Sequence, residues 1–287
     1  MNQHKKENQS KKKITEEILH QIGGSVILVL LLIAVVAICM VGWLSLASKK
    51  SELIQESKAA ANQLTGFLEQ YTKSTEQLAG NPEIKSLMLE EASFDDFWQS
   101  SKMDTVMENL VNIANTDTEN VMAVWVSDLD ASTLAQSDGF KSEKGWDITG
   151  RGWYGCITEK KTVLTEPYVD SSTGKMILSA AAPVYDDATG DVLGAVGMDI
   201  SLDHMTEVMK EYKIGRNGYT LLLSEGGIFL YHPQSDIVQK NIKDTDTSPN
   251  VSDAIQSKNS EFLKYKTGGS AKYGFLQHAG DTGYVVL

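Results

Sequence analysis

From Val26 to Ala47, VILVLLLIAVVAICMVGWLSLA, the chain runs through 22 residues without a charge or a polar stripe. As a helix that run is about 33 Å long, enough to cross the hydrocarbon core of a bilayer. It predicts a transmembrane helix over residues 24–47. From Ser48 to about Leu89 the pattern turns amphipathic: Leu53, Ala60, Leu64, Phe67, Leu68, Tyr71 and Leu78 recur at three- and four-residue spacing, the mark of a helix with one apolar face. Gly66 and Gly80-Asn81-Pro82 interrupt it, and Pro82 should end it. The stripe offers surface both for core packing and for pairing of two copies, and cannot fully serve both. Phe94 to Ala114 reads as a second helix.

Strand patterns follow at Val121–Val126, Thr162–Leu164, Met176–Val184 and Val192–Ile200, with the Asp- and Gly-rich loop YDDATGD between the last two, then a helix from Leu202 to Tyr212. A smaller unit is expected from Ile214: strands Tyr219–Leu223 and Ile228–Tyr231 around Glu225-Gly226-Gly227, a helix at Ser252–Lys258, and three further strands. The predicted class is α+β, a transmembrane helix followed by a long helix carrying two small antiparallel-sheet units. The expected division is a tail at 1–23, the span at 24–47, the long helix and first unit at 48–213, and a second unit at 214–287. The chain stops at DTGYVVL, inside a strand pattern, which reads as a truncated product or a fragment.

Charge adds orientation. Lys5, Lys6, Lys11, Lys12 and Lys13 precede the apolar run, against Lys49, Lys50 and Lys58 after it, a bias that places the N-terminus in the cytoplasm and the bulk of the chain outside. Ser45-Leu46-Ala47 resembles a signal-peptidase site, but the apolar run exceeds a signal h-region of roughly 7–15 residues, so an uncleaved anchor is expected. The tail carries net +2, so the whole chain's −12 leaves −14 on the rest; such acidity argues against nucleic acid as a partner. Cys39 lies in the apolar run and Cys156 is the only other cysteine, which excludes an intrachain disulfide outside the membrane. No histidine occurs between His20 and His204, so Cys156 reads as a packed residue rather than a nucleophile. His232, alone in LYHP, reads as structural. KDTDTSPN lacks the Gly and distal Glu of a calcium loop. No cofactor or metal is called for, and no nucleophile–base pair points to an enzyme.

Only two arginines occur among 26 basic residues, and one of them, Arg151, stands in DITGRGWY. A guanidinium is favoured where a planar fork must meet a carboxylate or stack on an aromatic ring. DITGRGWY, EPYVDSSTGKMILSAAAPVYD, VLGAVGMDISL and GRNGYTLLLSEGGIFLYHP, in that order, resemble the double Cache (dCache) sensor domain of bacterial transmembrane receptors of the methyl-accepting chemotaxis type, over residues 48–287. The resemblance implies two PAS-like subdomains, a small-molecule ligand, a homodimer and a place in the cell membrane. It also implies an output that the chain does not contain, with a histidine kinase, a diguanylate cyclase or an anchored capture protein without output as alternatives. In the branch that recognises amino acids, an Arg, a Trp two residues on with a Tyr beside it, a Tyr-x-Asp and a later Asp recur. Those positions read Arg151, Trp153, Tyr154, Tyr168, Asp170 and Asp199 here, and Trp146 stands where the branch has a Tyr. Arg151 and Trp153 would then serve the ligand's carboxylate, and Asp170, Asp199 and Tyr168 its ammonium. Read from the residues alone, Asp199 could instead cap the helix near Leu202, and Asp170 could be an ordinary turn residue.

Overall fold

The computed structural model describes residues 2–90, 93–170, 173–212 and 217–287, with side chains from Leu19 onward. Ile214, the expected start of the second unit, and the adjoining Gly215-Arg216 lie outside the described residues. The chain divides into two units, residues 1–52 and 53–287, and helix α1 (Asn2–Ala79) supplies most of the first. Within that helix the apolar run has a mean hydropathy of 3.1 and none of it is buried in protein. It is long and apolar enough to cross a membrane.

In the second unit, α1 contributes Ala60, Ala61, Leu64, Leu68, Tyr71, Leu78 and Ala79 to the core, all buried. The predicted stripe is thus consumed by the domain's own core. Gly66 does not interrupt the helix, and a side chain there would meet nothing. The stop comes where expected: Gly80-Asn81 leave the helix, Pro82 opens α2 (Pro82–Glu90), and the Asn81 carboxamide accepts the Glu83 N–H at 2.8 Å as a cap. The helix expected over Phe94–Ala114 is two: α3 (Phe94–Gln99), capped by Ser93, and α4 (Met103–Ala114). Ser100 turns to an extended ψ of 134° between them, and the Ser-Ser pair at 100–101 is a weak helix former.

Six strands form the first sheet: β1 (Val121–Asp128), β2 (Ala135–Gln136), β3 (Val163–Leu164), β4 (Tyr168–Val169), β5 (Met176–Tyr185) and β6 (Val192–Ser201). Their order is β2-β1-β6-β5-β3, with β4 also on β5, and all pairings are antiparallel. Between β2 and β3 the chain makes a 3-10 turn at Gly152–Tyr154 and a short helix α5 (Gly155–Glu159). Period-two alternation divides the sheet's residues cleanly. Val124, Val126, Leu178, Ala180, Ala182, Val196, Met198 and Ile200 pack with the helices, while Trp125, Ala181 and Ala195 face a separate cluster with Ile148, Trp153, Cys156 and Ile157. Cys156 is buried there and burial pushes its thiol up to about 12, so it stays protonated and unreactive.

After α6 (Asp203–Glu211), a second sheet follows with order β8-β7-β11-β10-β9: β7 (Leu222–Ser224), β8 (Phe229–Tyr231), β9 (Glu261–Thr267), β10 (Ser270–His278) and β11 (Tyr284–Val286), with α7 (Asn250–Ser257) packed against it. The strand β11 and the turn after β7 reach the segment after β3: Tyr284 Oη donates to the Thr165 carbonyl at 2.9 Å and the Gly226 N–H to Glu166 Oε1 at 3.2 Å. Helix α1 is tied to the end of β6 by polar contacts as well as by packing. Tyr71 Oη donates to Asp117 Oδ2 at 2.6 Å, Asn120 Nδ2 donates to the same carboxylate, and the Asn120 carbonyl receives the Ser201 N–H at 2.8 Å.

Candidate ligand site

On the face of the first sheet that carries Trp125, the strands β5 and β6 present the small residues Ala181, Ala195 and Gly197, with Ser179 and Asp199 farther along the same pair. Asp199 lies opposite Ser179 on β5 and Ala123 on β1. It sits inside a strand rather than at a helix start; Leu202 holds the N-cap position of α6 without a side-chain cap, so Asp199 does not cap that helix. The residue is 6% exposed. Oδ1 accepts the Trp125 indole N–H at 3.0 Å and the Ser179 hydroxyl at 2.6 Å, with Tyr168 Oη at 3.5 Å.

These contacts fix where the protons are. Ser179 has one hydroxyl hydrogen and spends it on Asp199, so at 2.8 Å from Tyr168 Oη it must accept. The Tyr168 hydrogen therefore points inward, and its oxygen keeps its lone pairs for another donor. Tyr168 is 39% exposed as a residue while its hydroxyl reaches in toward Asp199. Burial first, then the Asp199 charge, raises the phenol's pKa. Asp199 is raised to about 6, chiefly by desolvation and further by the fields of Asp170 and Asp138, against the lowering effect of Ser179 and Trp125.

Asp170 is a turn residue, as one of its two readings has it. Its Oδ2 accepts the Thr173 N–H at 2.8 Å and the Thr173 hydroxyl at 2.6 Å, closing the turn between β4 and β5, and its charge bears on both Asp199 and Tyr168.

Three indoles stack from the protein surface inward. Arg151 holds its guanidinium 4.5 Å from the Trp146 ring centre, Trp146 lies 6.3 Å from Trp153, and Trp153 lies 4.5 Å from Trp125. Arg151 is exposed at the outer end, next to the 3-10 turn that carries Trp153 and the half-buried Tyr154. Asp147 is held below the usual carboxylate range by its bonds to Thr149, with the Arg151 charge contributing. Tyr168 and Asp199 are in direct contact, with the charge of Asp170 bearing on both; Arg151, Trp146 and Trp153 connect to them through Trp125, and Tyr154 packs against the same cluster. Trp125 and Ser179 belong with them and were not expected. VMAVWV reads only as a buried strand, and nothing local marks Ser179.

A cleft of about 670 Å³ lies elsewhere, lined by Glu76, Glu159, Lys161, Glu225, Lys258 and His278 among others, and includes none of these residues. Its charges largely satisfy one another, as in Lys161–Glu159 at 2.7 Å and Lys258–Glu225 at 3.0 Å. At Asp199, by contrast, a buried carboxylate is bonded by the neutral donors Ser179 and Trp125 and lies in the fields of Asp170 and Asp138, which makes it the stronger candidate. Among the described residues no group of three or more His, Cys, Asp or Glu is placed to hold a metal ion.

Comparison with known proteins agrees with this architecture. The methyl-accepting chemotaxis protein PscA of Pseudomonas syringae pv. tomato is 36% identical over 100 residues, 34% of this chain and 16% of that protein. PctB of Pseudomonas aeruginosa, also a methyl-accepting chemotaxis protein, is 30% identical over 162 residues, 51% of this chain and 25% of that protein. The matches thus span a quarter or less of these relatives' length. The ligand-binding domain of the Pseudomonas fluorescens chemoreceptor CtaA, solved with L-isoleucine, superposes with a TM-score of 0.61 at 22% identity, covering 84% of this chain and 91% of that one. The dCache_1 model, described as a Cache domain, matches residues 45–287, and the chain belongs to that family.

Proposed function

We propose that this chain is the sensor part of a membrane chemoreceptor and that it binds a free amino acid by its head group. The single observation that carries the reading is the proton inventory around Asp199. The polar hydrogens of Tyr168, Ser179 and Trp125 there are committed inward, so the candidate site offers acceptors, and among the described residues no ion pair to Asp199 is formed. A primary ammonium supplies both the charge and the donors. At the other end of the indole stack, Arg151 offers a fork to a carboxylate. The curated relatives named as chemotaxis proteins and the CtaA domain solved with isoleucine support the same reading. In this reading Trp146, Arg151, Trp153 and Tyr154 hold the carboxylate end, Tyr168, Asp170 and Asp199 the ammonium end, and the site performs no catalysis.

The test is calorimetric titration of the protein with the common amino acids, then with their amides and N-acetyl derivatives. Binding that needs both free ends is expected. An affinity indifferent to blocking either end, or no binding by any amino acid, would reject the reading.

The lysine bias around the apolar run supports a cytoplasmic tail at 1–23, a span at 24–47 and a sensor outside the cell membrane, with subdomains at 48–213 and 214–287. Two copies are expected to pair along α1. Its apolar stripe is occupied by the core, so pairing would use the opposite, exposed face that carries Ala59, Asn62, Gly66, Glu69 and Lys73. A face so polar buries little apolar area and gives weak association. Sedimentation should show ligand-sensitive dimerisation, and a strict monomer at high concentration with ligand present would remove the pairing.

A further inference from the structure

We infer that Trp125 is a positioning residue of the ligand site, seated by Gly197, and that it locks the carboxylate of Asp199 in the orientation that receives the ligand. The inference rests on the head-group reading for its consequence and on geometry for its substance. Trp125 is 1% exposed in the middle of a sheet, where so large a ring needs a gap. Gly197 lies directly opposite it on β6. A Cβ at 197 would come within 2.1 Å, 2.5 Å and 2.7 Å of three atoms of the Trp125 indole, closer than carbon atoms approach. Ala181 continues the small surface on β5, opposite the other edge of Gly197. The indole therefore lies flat across β6, and in that pose it makes two contacts at once. Its N–H reaches Asp199 at 3.0 Å, and its ring packs 4.5 Å from Trp153, tilted by 35°.

One side chain thus links the inner carboxylate to the aromatic stack that leads out to Arg151. With Oδ1 occupied by Trp125 and Ser179, the ligand is directed to Oδ2. Two roles follow. The N–H favours the ionised form of Asp199, and the stacked ring fixes the distance between the two ends of the site.

The test reads the indole directly. In the full chain held in lipid nanodiscs and labelled with nitrogen-15 at its five tryptophan indoles, the Trp125 resonance, identified by its absence in Trp125→Phe, should shift with pH with a midpoint near that of Asp199. It should lose that shift in Asp199→Asn. Trp125→Phe, which keeps a ring and removes the donor, should weaken amino-acid affinity about tenfold, the size of one charge-assisted hydrogen bond. It should also move upward by about one pH unit the point below which affinity falls. Gly197→Ala should weaken binding at least as much by displacing the ring. An indole that does not respond to pH, or a Trp125→Phe protein with native affinity and an unmoved pH profile, overturns the inference. If the wild-type protein binds no amino acid, the head-group reading falls alone, and the indole titration still decides whether Trp125 orders Asp199.

Discussion

Asp199→Asn is expected to weaken amino-acid binding sharply while raising the melting temperature of the ligand-free protein. The two effects share one cause. Asp199 is a buried carboxylate whose ionised form is disfavoured by desolvation and by neighbouring carboxylates, so at neutral pH the empty site carries an uncompensated cost. An asparagine keeps the shape, and its carbonyl oxygen accepts from Trp125 and Ser179 as before, but it has no charge to leave unpaired. The ligand's ammonium then loses its ionic partner. Losing one member of a buried, hydrogen-bonded charge pair costs about 2–5 kcal/mol, or roughly 30-fold or more in affinity. Arg151→Ala should weaken binding comparably, and Lys at 151 should restore only part of it, being a point charge without the fork. Because Arg151 is exposed and stacked on Trp146, its loss should leave the unliganded fold unchanged. Asp170→Ala mixes two effects, since the same carboxylate closes the turn to Thr173. Calorimetry and thermal melts on the same variants separate the cases. A lower melting temperature for ligand-free Asp199→Asn would show that the residue serves the fold rather than the ligand.

The sequence carried some parts of this site and hid others, for identifiable reasons. As candidates, Arg151, Trp153, Tyr154, Tyr168, Asp170 and Asp199 could be named because a motif fixes their spacing. The sheet was legible because β5 and β6, packed on both faces, read as short apolar runs bounded by turn residues. Trp125 and Ser179 were not, because their role exists only across strands: Trp125 meets a residue 74 positions away and Ser179 one 20 positions away. Gly197 in VLGAVGMDISL looks like a flexible residue until the ring that fills its place is seen. The break between α3 and α4 was missed for a local reason: the apolar spacing continues across Ser100-Ser101, and only the backbone shows the turn. The stripe on α1 was read correctly as apolar, but sequence could not say which of two partners would cover it, and the domain's own core does so.

Amino-acid affinity is expected to be flat above about pH 7 and to fall below about pH 6, approaching tenfold for each further unit of acid. Asp199 titrates near 6 in the empty site, and only its ionised form can receive an ammonium, so below that point binding must first expel a proton. The same group moves stability in the opposite direction. Its midpoint in the folded protein lies above the ordinary value of 3.8. Between about pH 4 and 6 the folded, ligand-free protein therefore holds a proton that the unfolded chain has released. Its contribution to stability is complete below the unfolded midpoint and is lost as the pH rises through the folded one. Across that window the ligand-free protein should lose melting temperature as the pH rises, while the further gain from a saturating amino acid should grow. Asp199→Asn should flatten both trends. The measurement is a set of thermal melts and titrations at half-unit steps from pH 4.5 to 8, with and without ligand. An affinity that does not change between pH 5 and 8 would remove Asp199 from the ammonium site.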